Sequence, residues 1–195
     1  MDDKFGSVQR RSRKQIADLA NAVRRELGME AGERIAMQPV IEFALEDMID
    51  GAYFRVVDDH KLAGAEAKTD WHQPVITFSA STYAKLKRGD PRSRMTAAHE
   101  LGHLLMHTQR PVYYYRTKSR NVEFDPEWQA DEFAAALLMP ERAFRSMKTV
   151  KQAMKGFGVS RCAAMRRARL LRIRIRDDKL LPSPRKKGRN IRHAP

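Results

Sequence analysis

Residues 95–107 read Met-Thr-Ala-Ala-His-Glu-Leu-Gly-His-Leu-Leu-Met-His. Met95, Ala98, Leu101 and Leu105 recur at helical spacing. Asp90-Pro91 supplies the entrance, with Asp90 as N-cap and Pro91 at the first helical position. On the predicted helix, His99 and His103 lie one turn apart on one face. That spacing lets both imidazoles reach a single Zn²⁺, with Glu100 beside the metal instead of on it. A carboxylate there can take a proton from an attacking water. Two ordinary core histidines would leave Glu100 buried without a partner, which is costly. Gly102 weakens a helix by about 1 kcal/mol relative to alanine, so its place predicts a close approach by another backbone or side chain.

A zinc site that does chemistry needs a third protein ligand and an open fourth position. Residues 127–140, EWQADEFAAALLMP, read as a helix with Ala130, Phe133, Ala134, Leu137 and Leu138 inward, stopped by Pro140. Glu127 and Asp131 are four apart and share a face. Glu127 is the candidate third ligand. Asp131 is placed to accept a hydrogen bond from the free ring nitrogen of His99 or His103 and so fix its tautomer. Glu123, Asp125, Glu132 and His107 are weaker alternatives as ligands. His107 continues the histidine face one further turn, too far for the same metal unless the helix ends early.

The two segments, RMTAAHELGHLLMH from Arg94 and then EWQADEFAAALLMP, resemble in order the motifs of the ImmA/IrrE family of zinc peptidases. The resemblance covers about residues 19–171 and is strongest over 75–140. It implies an α+β fold: a mostly helical, zincin-like minimal metallopeptidase with a small β-sheet. It implies one Zn²⁺ per chain, and its E-x-x-x-D arrangement is similar to the gluzincin, thermolysin-type pairing of third ligand and orienting aspartate. It further implies limited proteolysis of a DNA-binding repressor, releasing genes of a mobile element or of a stress response.

A chain of 195 residues suits one main domain with an appendage. The single Cys162 excludes an intramolecular disulfide. The start lacks a basic-then-apolar signal pattern, and no run of about 18 apolar residues is present, so a cytoplasmic, membrane-free location is expected. Charge is uneven: 15 Lys or Arg against 2 Asp fall in residues 151–195, which carry nearly all of the net +14. The expected divisions are a flexible basic arm (1–14), a zinc peptidase domain (15–145), a helix-turn-helix-like basic module (146–180) and a disordered basic tail (181–195).

Within the peptidase domain, Ile16, Leu19, Ala20, Val23 and Leu27 predict a helix closed by Gly28. A second is expected over 39–49 with Gly51 as left-handed C-cap. Tyr53–Val57 and Val75-Ile76-Thr77-Phe78 read as strands, joined by a loop that carries His60, Trp71 and His72. Val75–Ser79 is read either as the edge strand that pairs with substrate backbone or as an internal strand. Tyr113, Tyr114, Tyr115 and His72 are candidate donors to the oxyanion.

In the basic module, residues 149–155, a turn at Gly156-Phe157-Gly158-Val159 and residues 160–173 resemble a helix-turn-helix. Ser160 caps the second helix, and Ala164, Ala168 and Leu171 face inward. Arg161, Arg166, Arg167 and Arg169 are expected on the exposed face as candidate DNA contacts. Two function classes follow. The first is a zinc-dependent endopeptidase that cleaves a protein, a repressor above all; the second is a non-catalytic DNA- or repressor-binding regulator on a zincin scaffold. The presence of Glu100 together with a full ligand set favours the first.

Overall fold

The computed structural model describes residues 8–30, 32–70, 72–108 and 121–177. Four layers position the site. A three-stranded sheet packs on the histidine helix, that helix packs on the Glu127 helix, and the latter packs on the first helix of the chain. The helices are α1 (Arg13–Glu26), α2 (Met37–Phe43), α3 (Leu45–Met48), α4 (Ala80–Lys87), α5 (Pro91–His107), α6 (Pro126–Leu138), α7 (Glu141–Phe144), α8 (Val150–Phe157) and α9 (Arg161–Leu170). The strands are β1 (Tyr53–Val57), β2 (Ala67–Thr69) and β3 (Val75–Ser79). The fold is α+β and mostly helical.

Local chemistry sets the ends of these helices. Ser12 and Gln15 form a reciprocal capping box at the start of α1. Asp90 accepts from the backbone N–H groups of Arg92 and Ser93 ahead of α5, with Pro91 at its first position. Asp125 does the same for α6 through the N–H of Glu127. The helix expected over 39–49 is divided at Ala44 into α2 and α3, and Gly51 takes the left-handed conformation beyond it.

Sheet order corrects one expectation. β3 is the central strand, parallel to β1 on one side and antiparallel to β2 on the other. All five of its residues are buried, so Val75–Ser79 cannot pair with a substrate backbone. Its near-continuous apolar content is that of a strand covered on both faces. β2, three residues inside the segment read as a loop, is the edge that lies against α5. The sequence Ala-Lys-Thr is too short to show a period of two.

The N-terminal arm also ends sooner than composition suggested. Val8 is buried, the Arg11 N–H donates to Glu123 O at 3.1 Å, and α1 already begins at Arg13. At the other end, α8 and α9 are joined by a turn with Gly158 at φ +63°, and Thr149 and Ser160 cap them. Val150, Ala153, Phe157, Val159, Ala164 and Ala168 belong to the same apolar core as α5 and α6, so the basic module shares its core with these two helices.

Gly102 explains how α5 and α6 come together. A Cβ at this position would lie 3.0 Å from Phe133 Cδ1, 3.3 Å from Phe133 Cβ and 3.3 Å from the Ala130 Cα. The backbone of α6 occupies that space, so the helical penalty of glycine is offset by close packing. Gly102→Ala is expected to destabilise the protein by ~1–3 kcal/mol through overpacking, measured by denaturant titration, and to weaken metal binding as the two helices part. Unchanged stability would show that α6 yields at this contact.

Candidate metal centre

The α5–α6 contact brings three side chains to one point. His99, His103 and Glu127 each offer a ligand atom, and these atoms lie within 4.8 Å of one another. The Nε2 atoms of the two histidines are 2.9 Å apart. Glu127 Oε2 lies 3.2 Å from His99 Nε2, and its Oε1 lies 3.5 Å from His103 Nε2. Two imidazole nitrogens and a carboxylate are the donor set of hydrolytic zinc sites, and all three atoms converge on a shared position. The residues fit a Zn²⁺ ion.

Each histidine is held from behind by a different group. His99 Nδ1 lies 3.1 Å from Asp131 Oδ1, which selects His99 between the two histidines that the sequence left open. Asp131 is itself paired with Arg166 of α9 at 3.0 Å. His103 Nδ1 lies 3.0 Å from His107 Nδ1, and His107 Nε2 lies 3.0 Å from Gln129 Oε1. The Gln129 amide NH₂ donates to Gln9 O and Glu123 O at 2.9 and 2.7 Å. Those two carbonyls orient the amide with its oxygen toward His107. His107 therefore donates from Nε2 and accepts on Nδ1, and His103 donates from Nδ1 and keeps its Nε2 lone pair facing the shared position. His107, read only as a remote ligand, is an orienting group. Its spacing was legible, but its partner Gln129 lies on another helix.

The charges reflect this arrangement. Burial disfavours a charged His99, yet its hydrogen bonds to Asp131 and Glu127 and the charges of the nearby Glu100 and Glu127 outweigh it and push the ring up to about 9. The same contacts with His103 and His99 hold Glu127 well below the usual carboxylate range. Burial drives His107 down to about 4, so it stays neutral at pH 7.

Glu100 is buried at the end of β2. Its Oε2 accepts from Thr69 Oγ1 at 2.7 Å, and Thr69 Oγ1 also lies 3.0 Å from the Glu100 carbonyl. Thr69 escaped the sequence reading along with its strand. The alternative ligands are engaged elsewhere: Glu132 with Arg13 at 3.0 Å, Glu123 with Arg10, and Asp125 at the start of α6. His72 is exposed, and its backbone N–H donates to Asp70. Tyr113, Tyr114 and Tyr115 lie outside the described residues.

The basic module yields a further correction. Arg167, expected on an exposed DNA-facing surface, is buried and donates from Nε to Met139 O at 3.0 Å. Its aliphatic stem fits between α9 and α6 while its head terminates a backbone, a use that a helical wheel cannot distinguish from exposure. Arg161 is paired with Asp177 and Arg166 with Asp131. Arg169 is exposed.

The sequence profile of the peptidase family M78, the IrrE N-terminal-like domain, matches residues 87–169, the stretch holding α5, α6 and the first part of the basic module. This match supports membership of the ImmA/IrrE family over these residues. No curated protein matches the chain. Among solved structures, a Mycobacterium tuberculosis transcriptional regulator is similar with a TM-score of 0.54 at 17% identity, over 79% of this chain. The chain spans 46% of that structure's length, and the likeness is one of fold. Among the described residues, no helix is long and apolar enough to cross a membrane.

Two measurements follow from this geometry. Because the metal takes the site of the His99 proton, zinc loading at pH 7 should release about one proton from this ring, fading as pH rises through about 9. Titration calorimetry in buffers of different ionisation enthalpy reads this directly; no release at pH 7 would contradict a charged His99. His107→Leu removes the acceptor for His103 and should lower zinc affinity ~10–100-fold with helical content retained. Unaltered affinity would mean that packing alone orients His103.

Proposed function

We propose that this chain is a zinc-dependent endopeptidase that cleaves a protein, most readily a helix-turn-helix repressor of genes of a mobile element or stress response. The observation that carries the reading is the convergence of His99, His103 and Glu127 with Glu100 adjacent to them. Family membership of residues 87–169 supports the reaction class. The similar solved structure is titled a transcriptional regulator, which accords with a regulatory protein as partner.

His99, His103 and Glu127 would hold one Zn²⁺, which when bound acidifies water and polarises a carbonyl. The chain's own residues account for the remaining requirements. Asp131 and the His107–Gln129 pair fix both rings so that their Nε2 lone pairs face inward. Glu100 takes the proton of the attacking water and returns it to the leaving amine. Thr69 fixes the Glu100 carboxylate by donating to its Oε2. The outer edge of β2 beside it, without a paired strand among the described residues, offers backbone groups to an extended substrate chain. A basic surface around Arg169 and the tail beyond it is the part of the molecule suited to nucleic acid, bringing the enzyme to a DNA-bound substrate.

The test is the metal content of the purified protein by mass spectrometry, compared with Glu127→Ala and Glu100→Gln. About one zinc per chain is expected, lost in Glu127→Ala and kept in Glu100→Gln, whose cleavage of a co-expressed repressor falls by several orders of magnitude. Wild-type protein that binds no zinc on addition overturns the enzyme reading in favour of a binding regulator. Cleavage retained by Glu100→Gln overturns the role of Glu100.

A further inference from the structure

A cavity of about 710 Å³ opens between the end of α1 and α7, away from the metal centre. Four arginines border it, Arg24, Arg25, Arg142 and Arg145, against one acid, Glu141. That acid is already engaged: Arg145 donates to its Oε1 from Nε and Nη2 at 2.9 and 2.5 Å. Arg25 and Arg142 have no acidic partner among the described residues. The wall therefore carries three positive charges that no carboxylate within it offsets. We infer that this cavity binds a phosphate-bearing small molecule of nucleotide size. The assignment does not depend on the peptidase reading.

Arg24 distinguishes the site from an ordinary basic surface. It is 3% exposed, and carbonyls occupy its head: Nη1 donates to Leu137 O at 2.9 Å, and Nη2 to Glu30 O and Glu33 O at 2.6 and 2.8 Å. Its buried Nε–H is left without an acceptor among the described residues. No carboxylate hydrogen-bonds to this guanidinium. Glu33, whose charge acts on it, turns its own carboxylate to the Glu30 N–H at 2.7 Å. A buried cation at a cavity wall, with one donor unsatisfied, is stabilised by an anion in that cavity.

The last turn of α1 fixes these groups. Gly28 takes φ +66°, its N–H donates to Arg25 O and that of Met29 to Arg24 O, both at 2.9 Å. This is the paired pattern of a Schellman ending. Backbone thus satisfies those carbonyls, and neither arginine side chain is needed to cap them. The chemistry of the wall then selects the ligand. Guanidinium groups pair bidentately with phosphate oxygens. A phosphate monoester carries about −1.5 to −2 at pH 7, so one or two phosphate groups balance the excess. The volume is more than a phosphate ion fills and lies within the roughly 300–1,000 Å³ of small-molecule sites. Met29, half-buried, and Pro140, buried, give apolar contact to an organic body, and the flat face of a guanidinium stacks on a nucleobase.

Calorimetry on the full chain tests the site with ADP, inorganic pyrophosphate and a short DNA duplex as probes. It is run at about 0.15 M salt, which screens the diffuse attraction of the net charge. ADP should bind one per chain, about 5–100-fold tighter than pyrophosphate, the worth of one stacked base. Arg25→Glu and Arg142→Glu, both at exposed positions, should each weaken ADP about 10–100-fold, the worth of one charge-assisted hydrogen bond. Lys87→Glu on α4 makes the same change in net charge away from the cavity and should weaken it by less than about 3-fold. An ADP affinity unchanged by the two arginine variants, or lowered as much by Lys87→Glu, overturns the site. Pyrophosphate that binds as tightly as ADP overturns the organic body. A duplex that displaces ADP and weakens in the same two variants overturns the small-molecule reading in favour of a DNA backbone.

Discussion

The approach of α5 to α6 at Gly102 is the contact on which the rest of the molecule depends. Phe133 and the Ala130 backbone occupy the volume a side chain would have taken, so the two helices lie close enough for carboxylates on one to reach imidazoles on the other. The pairings that assemble the candidate metal centre span this interface: Glu127 and Asp131 with His99, Glu127 with His103, Gln129 with His107. A wider spacing would leave each of these residues in place along its own helix and unite none of them. The residue that weakens α5 as a helix is thus the one that makes it useful.

Buried arginines complete the frame, and they work on carbonyls instead of carboxylates. Arg24 of α1 donates to Leu137 O and Arg167 of α9 to Met139 O, so the C-terminal end of α6 is held from two sides. Arg94 of α5 donates to Ile35 O, Phe157 O and Gly158 O, joining the histidine helix to the end of α8. Burial pushes the Arg94 guanidinium down to about 10, which leaves it charged at neutral pH. Each cation meets the negative end of a helix, where orphan carbonyls need donors. Fixing three elements with one side chain suits a small core that has no disulfide to constrain it.

Short-range order was legible in the sequence. The spacing of His99, Glu100 and His103 and that of Glu127 and Asp131 follow from helical geometry, and the caps at Asp90 and Ser160 follow from hydrogen-bonding chemistry. What could not be read was pairing across elements. Nothing local to Val75–Ser79 says which strands flank it, and nothing in Ala67–Thr69 marks a strand at all. Arg167 and Arg169 look alike on a helix, and only the position of Met139 O separates them. The partnership of His107 with Gln129 is of the same kind, since it depends on the register between two helices.

The side chain of Glu127 is 69% exposed, whereas that of His103 is 6% exposed. The two nitrogen donors are thus embedded in the scaffold, and the oxygen donor stands at the rim. An ion can arrive from solvent, meet two prearranged rings and be closed over by a single carboxylate swinging through a small arc. Access to the shared position therefore runs past the Glu127 carboxylate and not through the core.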